Sequence, residues 1–174
     1  MNRQGLNPTA ASILGFLHEG PLTGWDLVNK TTTTIADFWN VTKSQVYGEL
    51  RHLAEQGLVR EGKTGRRERR PYTITKTGRA AFSEWIAREP GEKTMRFPLA
   101  LTMYFGRHIE PSRLAAFCRA HRARHVAQLD TLLGFVPVLQ KAGAAHELAV
   151  LKLGIGFHEL VVNWIDDALK KPDR

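Results

Sequence analysis

Apolar residues recur along the chain at helical spacing, and the clearest run is Val41 to Leu58. Val46, Leu50 and Leu53 fall at i, i+4 and i+7 and form one narrow stripe. Thr42, with Gln45 three residues on, makes a capping box at its start. Gly57 stands where a left-handed residue closes a helix, since glycine has no Cβ to clash there. At about 100° per residue, Ser44, Gly48 and Arg51 lie opposite the stripe, Gln45 and Tyr47 on its shoulders, and Lys43 near the N-terminal end. A face of hydrogen-bonding groups and one glycine suits a groove entered N-terminus first.

Upstream, Asn7-Pro8 starts a helix through Ile13, Leu14 and Leu17 that stops near Gly20-Pro21. A second begins at Thr23, with Asp26 in its first turn, and meets four threonines, Thr31 to Thr34. Threonine is β-branched, so a ragged helix end is expected there. Three helices, the third with a polar outer face, suggest helix-turn-helix. After Gly57 the period becomes that of strands: Leu58 to Glu61, a tip at Gly62 to Gly65, then Arg69 to Ile74. Tyr72 and Ile74 share a face that should pack on the helices, and Thr75 caps a helix whose Phe82, Trp85 and Ile86 return to the same core. The pattern predicts a winged helix-turn-helix over residues 1–88.

Arg88 to Thr94, with Pro-Gly among charges, reads as a linker, and residues 89–174 read as helical throughout. Phe97 to Phe105 is a short aromatic-rich segment. A long helix starts at Pro111 and is expected to bend or break near Pro137. In the last helix, Ala144 to Leu169, the residues Leu148, Leu151, Ile155, His158, Val162, Ile165 and Leu169 alternate steps of three and four, a heptad seam. The fold class is mainly α with a small β-hairpin, a winged helix-turn-helix followed by an antiparallel helical domain.

Composition narrows the function. Net charge is +8 and the pI about 10.0, which favours an anionic partner. Arg60 to Arg70 carries six cations against two carboxylates, net +4, equal to the whole excess of residues 1–90. Lys63, Arg66, Arg67 and Arg69 are therefore candidate phosphate contacts beside a recognition-type helix. A charged hairpin that is merely solvated is the competing reading. Cys118 is the only cysteine, which excludes an intrachain disulfide and a cysteine-based zinc cluster. No secretory signal and no run of about 18 uninterrupted apolar residues is present, so a cytoplasmic protein without membrane contact is expected.

In order, the stretches ASILGFLHEGPLTGWDL, SQVYGELRHLAEQGLV and RRPYTITKTGRAAF, then FPLALTMYFG before two long helices, resemble the PadR family of transcriptional regulators, in its branch with a longer C-terminal helical domain. The resemblance implies a homodimeric repressor on an inverted-repeat operator in double-stranded DNA, paired through its C-terminal helices. The 148–169 seam would then join the subunits, and some members release DNA when a small aromatic compound binds. By the same pattern the Ser44 to Arg51 helix enters the major groove and the wing tracks phosphates.

The DNA-binding candidates are thus Thr42, Lys43, Ser44, Gln45, Tyr47, Gly48, Arg51, Lys63, Arg66, Arg67 and Arg69. Ser44, Gln45 and Arg51 suit base edges, Lys43 and Tyr47 phosphates. Phe97, Leu101, Phe105, Phe157 and Trp164 are candidates for an effector pocket, against the commoner fate of core or interface. His121 and His125 stand at i, i+4, a metal-compatible spacing, but without CxxC or HExxH a packed or solvated pair is the better reading, and no metal or cofactor is expected. His158 in the seam can set register, face an effector cavity or be a satisfied core histidine. No phosphate loop, GxSxG or paired carboxylates point to an enzyme. The alternative class is a winged-helix scaffold for protein partners without sequence-specific DNA binding.

Overall fold

Asn7 caps the first helix as its place before Pro8 predicts: its Oδ1 accepts from the Ala10 N–H at 2.9 Å, and α1 (Pro8–Phe16) follows. In the computed structural model, which describes residues 5–36, 38–63, 70–92 and 95–170, the chain forms two compact units, Met1–Glu92 and Lys93–Arg174. After α1 come β1 (Leu22–Thr23), α2 (Gly24–Thr34), α3 (Lys43–Glu55), β2 (Val59–Glu61), β3 (Pro71–Ile74) and α4 (Lys76–Ile86). The core of this unit gathers Ile13, Leu14 and Leu17 with Leu27, the α3 stripe Val46, Leu50 and Leu53, and Val59 and Ile74 from the sheet. Tyr72 and Phe82 pack against it partly buried, whereas Ile86, expected in the core, is 60% exposed.

The expected hairpin is a three-stranded antiparallel sheet of order β1-β3-β2, because Leu22 pairs with Tyr72 and Thr23 with Pro71. Two residues, the second of them the cap of α2, display no period, so β1 leaves no sequence signal. The threonines of α2 also depart from expectation. The helix continues through Thr34, and the hydroxyls of Thr31 to Thr34 donate to carbonyls three or four residues back at 2.6–2.9 Å. That back-bonding gives each hydroxyl a partner without leaving the helix.

Gly78 shows how tightly α4 sits on the sheet. A Cβ there would lie 2.1 Å from the Leu58 carbonyl oxygen, which the Thr75 N–H and hydroxyl also approach. Gly57 adopts φ 70°, the left-handed closure of α3.

The second unit holds α5 (Pro98–Tyr104), a 3-10 turn at Gly106–His108, and two long helices, α6 (Pro111–Ala142) and α7 (Ala145–Lys170). Glu110 caps α6 by accepting from the Ser112 hydroxyl and from the Arg113 N–H at 3.1 Å, which in that order hold its carboxyl below the usual range. Of the bend or break expected near Pro137, the break does not occur: α6 runs as one helix through it. Pro137 and Leu133 are solvent-exposed, so water can reach the carbonyl that the missing N–H leaves open. Gly143, at φ 66°, ends α6. The two helices pair along their length over a core of Leu99, Cys118, Val161 and Ile165. By length and mean hydropathy, 1.4, α7 would also suit a membrane span.

Candidate nucleic-acid interface

The capping box that starts α3 is formed: Gln45 N–H donates to Thr42 Oγ1 at 3.3 Å, and Gln45 Oε1 accepts from the Thr42 N–H at 2.8 Å. The apolar stripe is buried, and Thr42, Lys43, Ser44, Gln45, Tyr47, Gly48 and Arg51 are all exposed. The helix therefore presents the predicted face, with one qualification. Gln45 Oε1 also accepts from the Thr42 hydroxyl at 3.0 Å, so its carbonyl serves the cap. Bidentate reading of an adenine needs both ends of that amide, one of which the cap already uses.

Tyr47 does more than flank this face. Its ring lies where a Cβ on Gly24 would be, 2.6 Å from the ring edge, so the N-terminus of α2 and the middle of α3 meet through a glycine and a tyrosine. Lys43 Nζ lies 6.0 Å from the Tyr47 ring centroid, the outer range of a cation–π contact.

At the base of the wing, β2 and β3 bring Glu61 opposite Tyr72. The Tyr72 hydroxyl donates to Glu61 Oε1 at 2.9 Å, and Arg70 Nη1 donates to Oε2 at 3.3 Å. Burial, then the hydrogen bond to Glu61, pushes the Tyr72 phenol up. Gly62 permits the close approach of the strands, its N–H donating to the Pro71 carbonyl at 2.7 Å where a Cβ would meet the proline ring at 2.9 Å. Lys63 is exposed; Arg66, Arg67 and Arg69 lie outside the described residues.

In the second unit the candidates divide. Of the heptad seam, His158 and Ile165 are buried within the protomer, Leu148, Leu151, Ile155 and Val162 are half-buried, and Leu169 is exposed. That seam supplies part of the α6–α7 packing of one chain, which its spacing alone could not distinguish from packing between chains. On a second α7 stripe, Val150, Leu153 and Leu160 carry exposed apolar area, Leu153 at 70% and Leu160 at 66%, while Phe157 and Trp164 in the same row are half-buried.

The five pocket candidates are not gathered. Phe97 packs with Phe157 and Trp164, ring centroids 6.3 and 5.7 Å away, while Leu101 and Phe105 are 64% and 50% exposed. His125 joins the ring cluster instead, and its Nδ1 is 2.7 Å from Nδ1 of His158. His121 stays outside this pair, its pKa lowered by burial and by Arg124. Among the described residues no group of three or more His, Cys, Asp or Glu is placed to hold a metal. Burial pushes the Cys118 thiol up, which keeps it protonated beside Met103 Sδ at 3.6 Å. Arg122 grips Asp166 with two hydrogen bonds of 2.6 and 2.9 Å, a pairing across 44 residues without a local sequence signature.

Residues 13–84 match the transcriptional regulator PadR-like family, and residues 95–172 match the virulence activator alpha C-terminal family. Over residues 13–84 the chain is therefore PadR-like. The members of this family are transcriptional regulators rather than enzymes. The PadR-like chain is 27% identical to a probable transcriptional regulator of Mycobacterium tuberculosis, over 90% of its own length and 93% of the relative's. It is 23% identical to the negative transcriptional regulator PadR of Bacillus subtilis, over 94% and 96%. The PadR-like regulator BC1756 of Bacillus cereus has the same fold, with a TM-score of 0.84 at 20% identity over 93% of this chain and 96% of that one. So does Bacillus subtilis PadR in complex with operator DNA, at 0.79 and 22% over 96% and 99%. The same protein in complex with p-coumaric acid gives 0.69 and 24% over 95% and 97%.

Proposed function

We propose that this PadR-like regulator is a homodimeric repressor that binds an inverted-repeat operator through α3 and the 62–70 wing, in the cytoplasm. The observation that carries this is the exposed α3 face, where Lys43, Ser44, Tyr47, Gly48 and Arg51 stand on a helix whose apolar side is fully committed to the core. Ser44 and Arg51 read base edges; Lys43, Tyr47 and Lys63 hold phosphates. The operator complex of the Bacillus subtilis relative supports this use of the fold.

Two subunits pair through the second unit. The exposed α7 stripe around Leu153 and Leu160 supports this, as does open space beside Gly156, where a partner helix can approach closely. A small aromatic effector would act at the ring cluster of Phe97, Phe157 and Trp164 by favouring one dimer geometry, since only differential affinity shifts such an equilibrium. The p-coumaric acid complex of the relative supports that class of ligand.

The test is a pair of substitutions measured on a bound operator and on a scrambled duplex. Arg51→Ala lowers operator affinity more than scrambled-DNA affinity, by ~1–3 kcal/mol of discrimination per half-site. Lys43→Ala weakens both alike and flattens the salt slope by about 0.9 per protomer. Equal effects of Arg51→Ala on both duplexes would overturn its assignment as a base reader.

A further inference from the structure

The stretch from Arg60 to Arg70 concentrates cations, yet Glu61 sits at its neck. A carboxylate there repels the same phosphates its neighbours attract, so its presence needs a reason. Its geometry supplies one. Glu61 is the cross-strand partner of Tyr72, whose hydroxyl donates to Oε1 at 2.9 Å. Its other oxygen accepts from Arg70 at 3.3 Å. The backbone beneath is held close, with the Gly62 N–H on the Pro71 carbonyl at 2.7 Å. Tyrosine and strand register therefore anchor the carboxylate, and the arginine reaches it on a long flexible stem.

We infer that Glu61 is an internal stand-in for a DNA phosphate: it engages Arg70 in the free protein and restrains the sequence-independent affinity of the wing for double-stranded DNA. This rests on the reading of residues 62–70 as a DNA-contacting wing. The pair is open to solvent, with side chains 58% and 40% exposed, so it contributes little to folding. The Arg70–Glu61 contact itself can be exchanged for another oxyanion at small cost. While Arg70 engages Glu61 it neutralises no phosphate, which withholds the counterion release it would otherwise contribute. Glu61 is in this sense a positioning residue that acts through Arg70.

The experiment uses the full chain and a mixed-sequence duplex, with affinity followed by fluorescence anisotropy across a salt series for Glu61→Gln, Arg70→Gln and the double variant. Glutamine keeps an acceptor for Tyr72, and an unchanged unfolding midpoint verifies that the wing base is intact. Glu61→Gln should bind several-fold tighter at low salt, with a salt slope steeper by about 0.9 per protomer. Arg70→Gln should bind more weakly with a flatter slope, and in its background the gain from Glu61→Gln should largely vanish. Unchanged or weaker binding by Glu61→Gln overturns the proposal. So does a gain that survives in full without Arg70, which would mark a general field effect. If Arg70→Gln leaves binding untouched, the wing reading itself falls and takes the proposal with it.

Discussion

Gly24 carries no side chain and still decides where Tyr47 lies. A Cβ at this position would sit 2.6 Å from the Tyr47 ring edge and 3.2 Å from its hydroxyl. The ring is the far end of a 40% exposed side chain, so it yields cheaply, and its yielding displaces a proposed phosphate contact. Gly24→Ala should therefore change folding stability by no more than ~1 kcal/mol, the scale of the glycine–alanine helix difference. It should weaken DNA binding about fivefold per protomer, the worth of one hydrogen bond. Tyr47→Phe should match the affinity loss. Urea unfolding and anisotropy check the two halves, and unchanged affinity in Gly24→Ala would contradict the placement. Such a contact is illegible in the sequence, since it joins residues on different helices that share no period. The Thr42–Gln45 capping box was legible because three-residue spacing is itself the geometry. Gln45 was readable as both cap and base reader, and only the hydrogen bonds show the cap using its carbonyl.

Helices α6 and α7 show what periodicity can and cannot tell. The seam from Leu148 to Leu169 was plain in the sequence, but heptad spacing names a packed face without naming its partner. His158 and Ile165 turn that face toward their own chain, while Leu153 and Leu160 on a neighbouring stripe remain exposed. Pro137 was read as a bend or a break because proline removes one hydrogen bond; on an exposed face that loss does not end the helix. Arg122 and Asp166, on opposite helices, make a pH prediction. The hydrogen bonds from Arg122 hold the Asp166 carboxyl below the usual range, so the folded-state pKa lies under the unfolded one. A depressed carboxylate stabilises the fold above its unfolded value and loses that contribution as pH falls through the folded value. Asp166→Asn should lower the thermal midpoint at neutral pH, and the gap to wild type should close on acidification below the ordinary aspartate range. A gap that stays constant would contradict the ion pair as its source.

At the scale of the molecule, fold class and winged-helix order were readable because helix period, hairpin signals and caps agreed along the first 88 residues. The third strand and the ring cluster with His125 were not, since both depend on chain segments meeting at long range. The central claim is that two such chains together read an inverted repeat. Selection of bound duplexes from a random pool, followed by a salt titration on the enriched sequence, tests it most directly, with Leu160→Glu run alongside to interrupt the exposed α7 stripe. The account predicts an inverted repeat with half-sites about one helical turn, ~34 Å, apart. It also predicts a steep negative salt slope. The Leu160→Glu chain should lose most of the affinity for the paired site. No enriched sequence, or a single unpaired half-site bound equally well by both proteins, would contradict it.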